Sequence, residues 1–293
     1  MDAFWAWWQS LPQRIDPVVF QIGSFRLQYY GLMYLVAFAI TYVLVLHRLK
    51  TEPRFSITRA QANDLITWVI LGLMAGARLG YVVFYNLEYY RGRPLEIVLP
   101  FDFSEGVRFT GFSGMSFHGG LIGVIVAAWI YTRRQGISLR EAADLVVPAA
   151  PLGYTFGRLG NFINGELYGR VTTAPIGMVF PLAPDRALRH PSQLYEALLE
   201  GVVLFAVLWP LRRRPFPRGA MLALYLVGYG TARFLVEFFR EPDAHIGYGP
   251  AGLTRGQLLC AAMIAAGLIL YRWLARPERV PPTARKPPSP RRA

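Results

Sequence analysis

What most constrains this chain is a series of apolar runs, each close to the thickness of a bilayer. A bilayer core is crossed by about 20 apolar helical residues. Runs at roughly 29–46, 65–85, 117–131, 142–162, 194–211, 219–238 and 256–274 meet or approach that length. Hydrocarbon offers the backbone no water, so a lipid-exposed segment must satisfy its own polar groups as a helix or a closed barrel. The runs therefore predict an all-α polytopic membrane protein of seven transmembrane helices. The third run is short and Gly-rich at its start, and the fourth is interrupted by Pro148 and Pro151. Residues 1–20 lack the basic start and apolar core of a cleavable signal peptide. Their Trp5, Trp7 and Trp8 predict a short interfacial helix instead.

Composition sharpens this. Hydrophobic residues make up 54% of the 293 and charged residues 17%, yet the net charge is +13 from 31 Lys and Arg against 18 Asp and Glu. Such a charge would suit nucleic acid, but the apolar runs exclude a soluble binder of that kind. The positions of the basic residues explain it. Eighteen of the 31 fall in segments 47–64, 132–141 and 210–218 and in the tail from Arg272, on one side of the alternation. Short Arg-dense loops stay in the cytoplasm. The N-terminus is therefore expected outside and the C-terminus inside, with outer arms at about 86–116 and 163–193. The expected organisation is an N-terminal interfacial segment (1–28), a transmembrane catalytic domain (29–275) and a disordered basic cytoplasmic tail (276–293). A single cysteine, Cys260, excludes an intrachain disulfide or a thiolate cluster. The four histidines show no metal-ligand spacing, and no metal or organic cofactor is expected.

An ion at mid-bilayer costs about 2.5–3.5 kcal/mol on insertion scales, which makes ionisable residues inside the runs candidates for function. GRLGNFINGELYGR (157–170) closes the fourth run. Tyr154, Arg158 and Asn161, spaced i, i+4, i+7, share a helix face there, with Glu166 and Arg170 following. YGTARFLVEFFREPD (229–243) closes the sixth run and sets Tyr229, Arg233 and Glu237 on one face, with Arg240 and Glu241 just beyond. GFSGMSFHGGLIG (111–123) opens the third and carries His118. Tyr30 opens the first, where an interfacial aromatic belt is the plain alternative. Arg78, with Tyr81 and Tyr85, reads as support, and Asp64 and Asp144 as caps or structural pairs. Glycine packing and a self-paired Arg233–Glu237 would account for single clusters. They would not explain why loop charge alone puts His118, Arg158, Asn161, Glu166, Arg233 and Glu237 in one outer-leaflet layer. Two arginines there imply an anionic ligand, and a guanidinium fits phosphate. The layer reads as a pocket for an anionic phospholipid head group with a titratable group beside it. A transporter would place such groups at the midplane, often with internal symmetry, and no repeat is visible.

GRLGNFINGE resembles the signature of the bacterial prolipoprotein diacylglyceryl transferases. The resemblance continues through QYYGLMY, ARLGYVVFYN, SFHGGLIG, RHPSQLYE and FFREPD, from about residue 28 to 262. It implies an enzyme of the bacterial plasma (inner) membrane with its site toward the outer leaflet. Its partners would be phosphatidylglycerol, the bilayer and a prolipoprotein signal peptide with a lipobox cysteine. The diacylglyceryl group moves to that cysteine's thiol, giving a thioether and glycerol phosphate. By the same resemblance Arg158, Asn161, Tyr229, Arg240 and Gly169 bind phosphatidylglycerol. His118, Arg233, Glu166, Tyr30 and Glu237 serve the chemistry. The chemistry asks for a base, because only the thiolate is a good nucleophile. His118 is the histidine placed for it, with Arg233 or a carboxylate network as the alternative. Arg158 and Arg233 are expected to stabilise the leaving phosphate, and Glu166 and Glu237 to orient those arginines. Cys260 is expected to be a buried structural residue.

Overall fold

The computed structural model describes residues 2–23, 25–99, 101–102, 108–109, 114–241 and 252–276. All but Arg276 of the basic tail, and His245, lie outside them. The chain opens with α1 (Asp2–Arg14) and an antiparallel pair, β1 (Val18–Ile22) and β2 (Phe25–Gln28). Next come α2 (Tyr29–Thr51) and α3 (Arg59–Tyr85), then the short α4 (Leu87–Arg91) and α5 (Leu95–Val98) and the two-residue pair β3 (Phe101–Asp102) and β4 (Arg108–Phe109). They are followed by α6 (Phe117–Arg134), α7 (Leu139–Val146), α8 (Ala150–Ile163) and α9 (Ser192–Glu196). A π-helical stretch (Ala197–Val203) joins α9 to α10 (Leu204–Leu211), ahead of α11 (Ala220–Val236) and α12 (Arg255–Leu274).

Among the described residues, four helical stretches are long and apolar enough to cross a membrane: Tyr29–Thr51, Arg59–Tyr85, Ser192–Leu211 and Arg255–Leu274. Ala220–Val236 is a shorter apolar helix. Their apolar side chains face outward. Only 6% of the most apolar 18-residue stretch of α2 is buried, and Leu35, Leu71, Leu259 and Ile269 are exposed. Hydrophobic burial cannot join such helices to one another in lipid, so small residues let their backbones approach instead. On α3, Gly72, Gly76 and Gly80 face Gly119 and Gly123 of α6. A Cβ at Gly119 would lie 2.7 Å from the Cα of Gly80.

The expected break in the fourth run falls between α7 and α8, and its cause is local. The carbonyl of Asp144 would accept from residue 148, which is a proline with no N–H. The N–H of Ala149 goes to Val146, leaving the carbonyl of Leu145 without its helical partner as well. The guanidinium of Arg48, fully buried, donates to both carbonyls at 2.5 and 2.6 Å. Glu52 holds that guanidinium at 2.9 Å and also takes Arg212 at 3.0 Å and Arg54 at 3.2 Å. Burial pushes the Glu52 carboxyl up, but these arginines outweigh burial and hold it below the usual carboxylate range. The Asp144 carboxylate caps the entry to α11, accepting from the N–H groups of Gly219 and Met221 at 2.6 and 3.0 Å. This clamp ties together α2, α7, α10 and the start of α11. Asp144 is thus the cap its position suggested, and Arg48 is a buried structural cation as well as a loop charge.

Candidate active site

Three helices bring their polar ends together. The last two turns of α8 carry Tyr154, Arg158 and Asn161 on one face. Glu196 ends α9, and Glu200 follows it one turn later in the π-helical stretch. Tyr229 and Arg233 lie toward the end of α11, with Glu237 capping it. Close packing allows this meeting. At Gly201 a Cβ would lie 3.0 Å from the Cβ of Thr155 on α8.

Glu196 is fully buried and serves three arginines. Its Oε2 is 2.7 Å from Nε of Arg158; its Oε1 is 3.0 Å from Nη1 of Arg233 and also accepts from Nη1 of Arg240. Glu237 lies 3.0 Å from Nη2 of Arg233 and 3.6 Å from Nε of Arg240, and accepts from the Thr254 hydroxyl at 3.1 Å. Glu200, equally buried, accepts from the Tyr154 hydroxyl at 2.5 Å, and Nη1 of Arg233 stands 3.8 Å from its other oxygen. Nε of Arg158 also donates to the Tyr154 hydroxyl at 2.6 Å, and its Nη1 donates to Oδ1 of Asn161 at 3.2 Å. Three guanidinium groups thus meet three carboxylates. A buried charge needs such pairing, because removing one partner leaves the other uncompensated.

The two terminal nitrogens of Arg233 each stand 3.0 Å from a carboxylate oxygen, of Glu196 and of Glu237, as ion pairs. Nη2 of Arg158 and Nη2 of Arg240 make no protein hydrogen bond among the described residues, and both side chains keep partial exposure, 20% and 18%. A guanidinium held at Nε and Nη1, with Nη2 between them left over, is arranged to receive an anion at that nitrogen.

A second layer braces this one. Asn161 donates to Glu166 at 2.8 Å, so Glu166 orients Asn161, and through it Arg158, rather than an arginine directly. Gln193 holds the backbone carbonyl of Glu166 at 2.5 Å, and Ser192 that of Leu167, a residue at φ +58°, at 2.8 Å. Gly169 pairs with Arg240 in a β-bridge, and a Cβ there would strike the Phe239 carbonyl oxygen. Arg189 reaches Glu241 at 3.0 Å and Asp185 at 3.1 Å, and its bond holds the Asp185 carboxyl below its usual range. Burial lowers the pKa of His190, which shares a hydrogen bond with the Tyr195 hydroxyl at 3.1 Å.

The structure therefore joins Arg158, Asn161, Glu166, Arg233, Glu237 and Arg240 in one network, with Gly169 at its edge. Tyr229 stands edge-on to Tyr154 at 5.8 Å. Tyr30 packs against Gly160 of α8, its hydroxyl 3.1 Å from that of Tyr34 and close to Asn161. His118 stands apart: it is exposed in the first turn of α6, and no hydrogen bond or ion pair joins it to the network among the described residues. Arg78 holds the backbone carbonyls of Ile97 and Glu96 at 3.0 and 2.5 Å, fastening the segment after α3. Cys260 is buried. Glu196 and Glu200 are the residues the sequence reading missed. They were open to the rule applied to the arginines, being two carboxylates four residues apart in an apolar run.

The family model described as prolipoprotein diacylglyceryl transferase matches residues 17–273. A phosphatidylglycerol–prolipoprotein diacylglyceryl transferase of Chlorobaculum tepidum is 51% identical over 275 residues, covering 93% of this chain and 94% of that protein. One from Bordetella parapertussis is 48% identical over 264 residues (90% and 97%), and one from Coxiella burnetii 49% over 263 (89% and 96%).

Proposed function

The chain belongs to the prolipoprotein diacylglyceryl transferase family, and on that premise we propose how its arginine network performs the family's reaction. The protein is a membrane transferase that moves a diacylglyceryl group from phosphatidylglycerol to a prolipoprotein, the first step of bacterial lipoprotein maturation. In our reading the acceptor is the thiol of a lipobox cysteine at the end of the signal peptide's apolar segment. The sulfur attacks the glycerol carbon that carries the phosphate ester, and glycerol phosphate leaves. The carrying observation is the free Nη2 of Arg158, whose Nε and Nη1 are fixed while Nη2 is not.

Nη2 of Arg158 and Nη2 of Arg240 would hold the phosphodiester. Negative charge grows on the phosphate as its C–O bond breaks. Positive charge already in place, in surroundings poor in water, stabilises that change most. Arg233 contributes from behind, anchored by Glu196 and Glu237. Asn161 and Glu166 fix the rotamer of Arg158. Tyr229, Tyr30 and Gly169 shape the pocket. His118, at the start of α6, positions the peptide or lipid at the mouth, and the proton falls to the carboxylate network.

The membrane placement belongs to the same proposal. Helices α6 and the broken α7–α8 pair would add to the other spans to make seven. The N-terminus would lie outside, the tail inside, and the network toward the outer leaflet of the inner membrane. Phosphatidylglycerol then reaches the arginines laterally, and residues 163–193 roof the site.

A direct test supplies purified full-length protein with phosphatidylglycerol vesicles and a lipobox peptide, and weighs the peptide. A mass gain equal to one diacylglyceryl group on the cysteine is expected. No gain, under conditions where the C. tepidum relative gives one, would refute the reading.

A further inference from the structure

We propose that Glu200 receives the proton of the attacking thiol through the hydroxyl of Tyr154. This rests on the diacylglyceryl-transfer reading above. The thiol must lose a proton, and the network offers four carboxylates that could take it; Glu166 is engaged by the Asn161 amide, which it fixes beside Arg158. Their surroundings differ. Protonating Glu196 would disrupt contacts to Arg158, Arg233 and Arg240. Protonating Glu237 would disrupt those to Arg233, Arg240 and Thr254. Glu200 accepts one strong hydrogen bond, from Tyr154 at 2.5 Å, and its Oε1 is buried with no hydrogen-bond donor among the described residues. The nearest cation, Nη1 of Arg233, is 3.8 Å away, beyond hydrogen-bond reach. A dehydrated carboxylate is stable when donors fill its lone pairs. Oε2 of Glu237 also lacks a hydrogen-bond donor among the described residues, but it stands 3.0 Å from Nη2 of Arg233, whereas no guanidinium comes nearer to Glu200 than 3.8 Å, so a proton on Glu200 disturbs the ion pairs least.

The groups that face it set the field in which it works. They are Tyr154 and Arg158 from α8, Glu196 one turn earlier, Tyr225, Tyr229 and Arg233 from α11, and Cys260 from α12. Substrate cannot reach Glu200, which is 1% exposed. Tyr154 is part-buried and sits under Arg158, 4.8 Å from the guanidinium carbon to the ring centre. Its hydroxyl therefore lies beside a phosphate held on Nη2 of Arg158.

The step balances as follows. The sulfur–carbon bond forms while the carbon–oxygen bond to phosphate breaks, and that electron pair stays on the phosphate oxygen. The S–H proton passes to Oη of Tyr154 as Tyr154 passes its own to Oε2 of Glu200. The proton then returns by the same path to the departing glycerol phosphate, which restores the carboxylate.

The test compares full-length wild type, Glu200→Gln, Tyr154→Phe, the double variant and His118→Gln, in bilayers containing phosphatidylglycerol and with a lipobox peptide. General-base assistance is worth about 10²–10⁴-fold. Glu200→Gln and Tyr154→Phe are each expected to lower kcat by about 100-fold or more, with KM for phosphatidylglycerol changed less than about threefold. The double variant should be no slower than the slower single variant, because one relay is being broken twice. Wild type and His118→Gln should lose kcat as pH falls and Glu200 becomes protonated, and the residual rate of Glu200→Gln should lack that limb. Glu200→Gln with near-normal kcat and the limb intact would overturn the proposal. Loss of the limb in His118→Gln alone would do so too. If Glu200→Gln does not fold, Tyr154→Phe decides by the same two readings. A wild type that transfers nothing removes the functional reading itself, and this proposal with it.

Discussion

At Glu196 three guanidinium groups converge on a carboxylate that is fully buried. Its charge cancels repulsion among cations that would otherwise push apart, and its two oxygens fix which nitrogens remain free. Replacing Glu196 with Gln keeps the shape and removes the charge. The expected cost is toward the lower end of the about 3–5 kcal/mol seen when one partner of a buried pair is lost, since the arginines keep partial exposure. A thermal melt of the purified variant would register it, and transfer activity should fall with it. An unchanged melting temperature would mean that the arginines are held by something else. Much at this scale was legible in the sequence. The i, i+4, i+7 spacing of Tyr154, Arg158 and Asn161 foretold their shared face, and the hydrogen bonds lie along it. What was not legible is how each guanidinium divides between internal carboxylates and ligand. That depends on where α9 meets α8 and α11, a tertiary fact. For this reason our proposal gives the second phosphate contact to Arg240 and sets Arg233 behind it.

Among the elements, the π-helical stretch at Ala197–Val203 and the glycine seam between α3 and α6 do the positioning. A widened turn has no local sequence signature. Its register follows from packing against α8, where Gly201 admits Thr155. The hairpin β1–β2 has a signal in Gly23, which adopts φ +59°, between the β-branched and aromatic VVFQI and the alternating FRLQ, where the tryptophans alone point to an interfacial segment. The break after α7 was legible, because Pro148 lacks the N–H that the carbonyl of Asp144 needs. For the seam, Gly119→Leu would drive a side chain into the backbone of Gly76 and Gly80. Overpacking of this kind costs about 1–3 kcal/mol. The same change would tilt the first turn of α6, and with it His118. The variant should melt earlier and bind peptide more weakly, while Gly31→Leu on α2, where open space surrounds the Cβ position, should leave both unchanged. Equal effects from the two would contradict the seam's role.

Across the whole molecule, two polar assemblies lie at opposite ends of α11. The Asp144 cap sits at its start and the Arg233–Glu237 end at its finish. Thirteen residues separate Ala220 from Arg233, or about 20 Å of helix. A clamp on one side and a binding network on the other suit a protein whose two ends meet different leaflets. The proposed orientation is checked by labelling cysteines, introduced one at a time in a Cys260→Ala background, with a membrane-impermeant maleimide in spheroplasts. Thr173→Cys, in the outer arm, should label at once, and Ser138→Cys only after permeabilisation; the reverse pattern would invert the topology. The claim on which the rest depends is that Arg158, held at Nε and Nη1 by Glu196, Tyr154 and Asn161, takes the phosphate of phosphatidylglycerol with Nη2. The most direct measurement is kcat/KM for phosphatidylglycerol in transfer to a lipobox peptide, in wild type and in Arg158→Ala confirmed as folded by its melt. The account expects a loss of about 10²-fold or more, the scale found when one preorganised donor to a developing charge is removed. A folded Arg158→Ala enzyme with wild-type kcat/KM would contradict it.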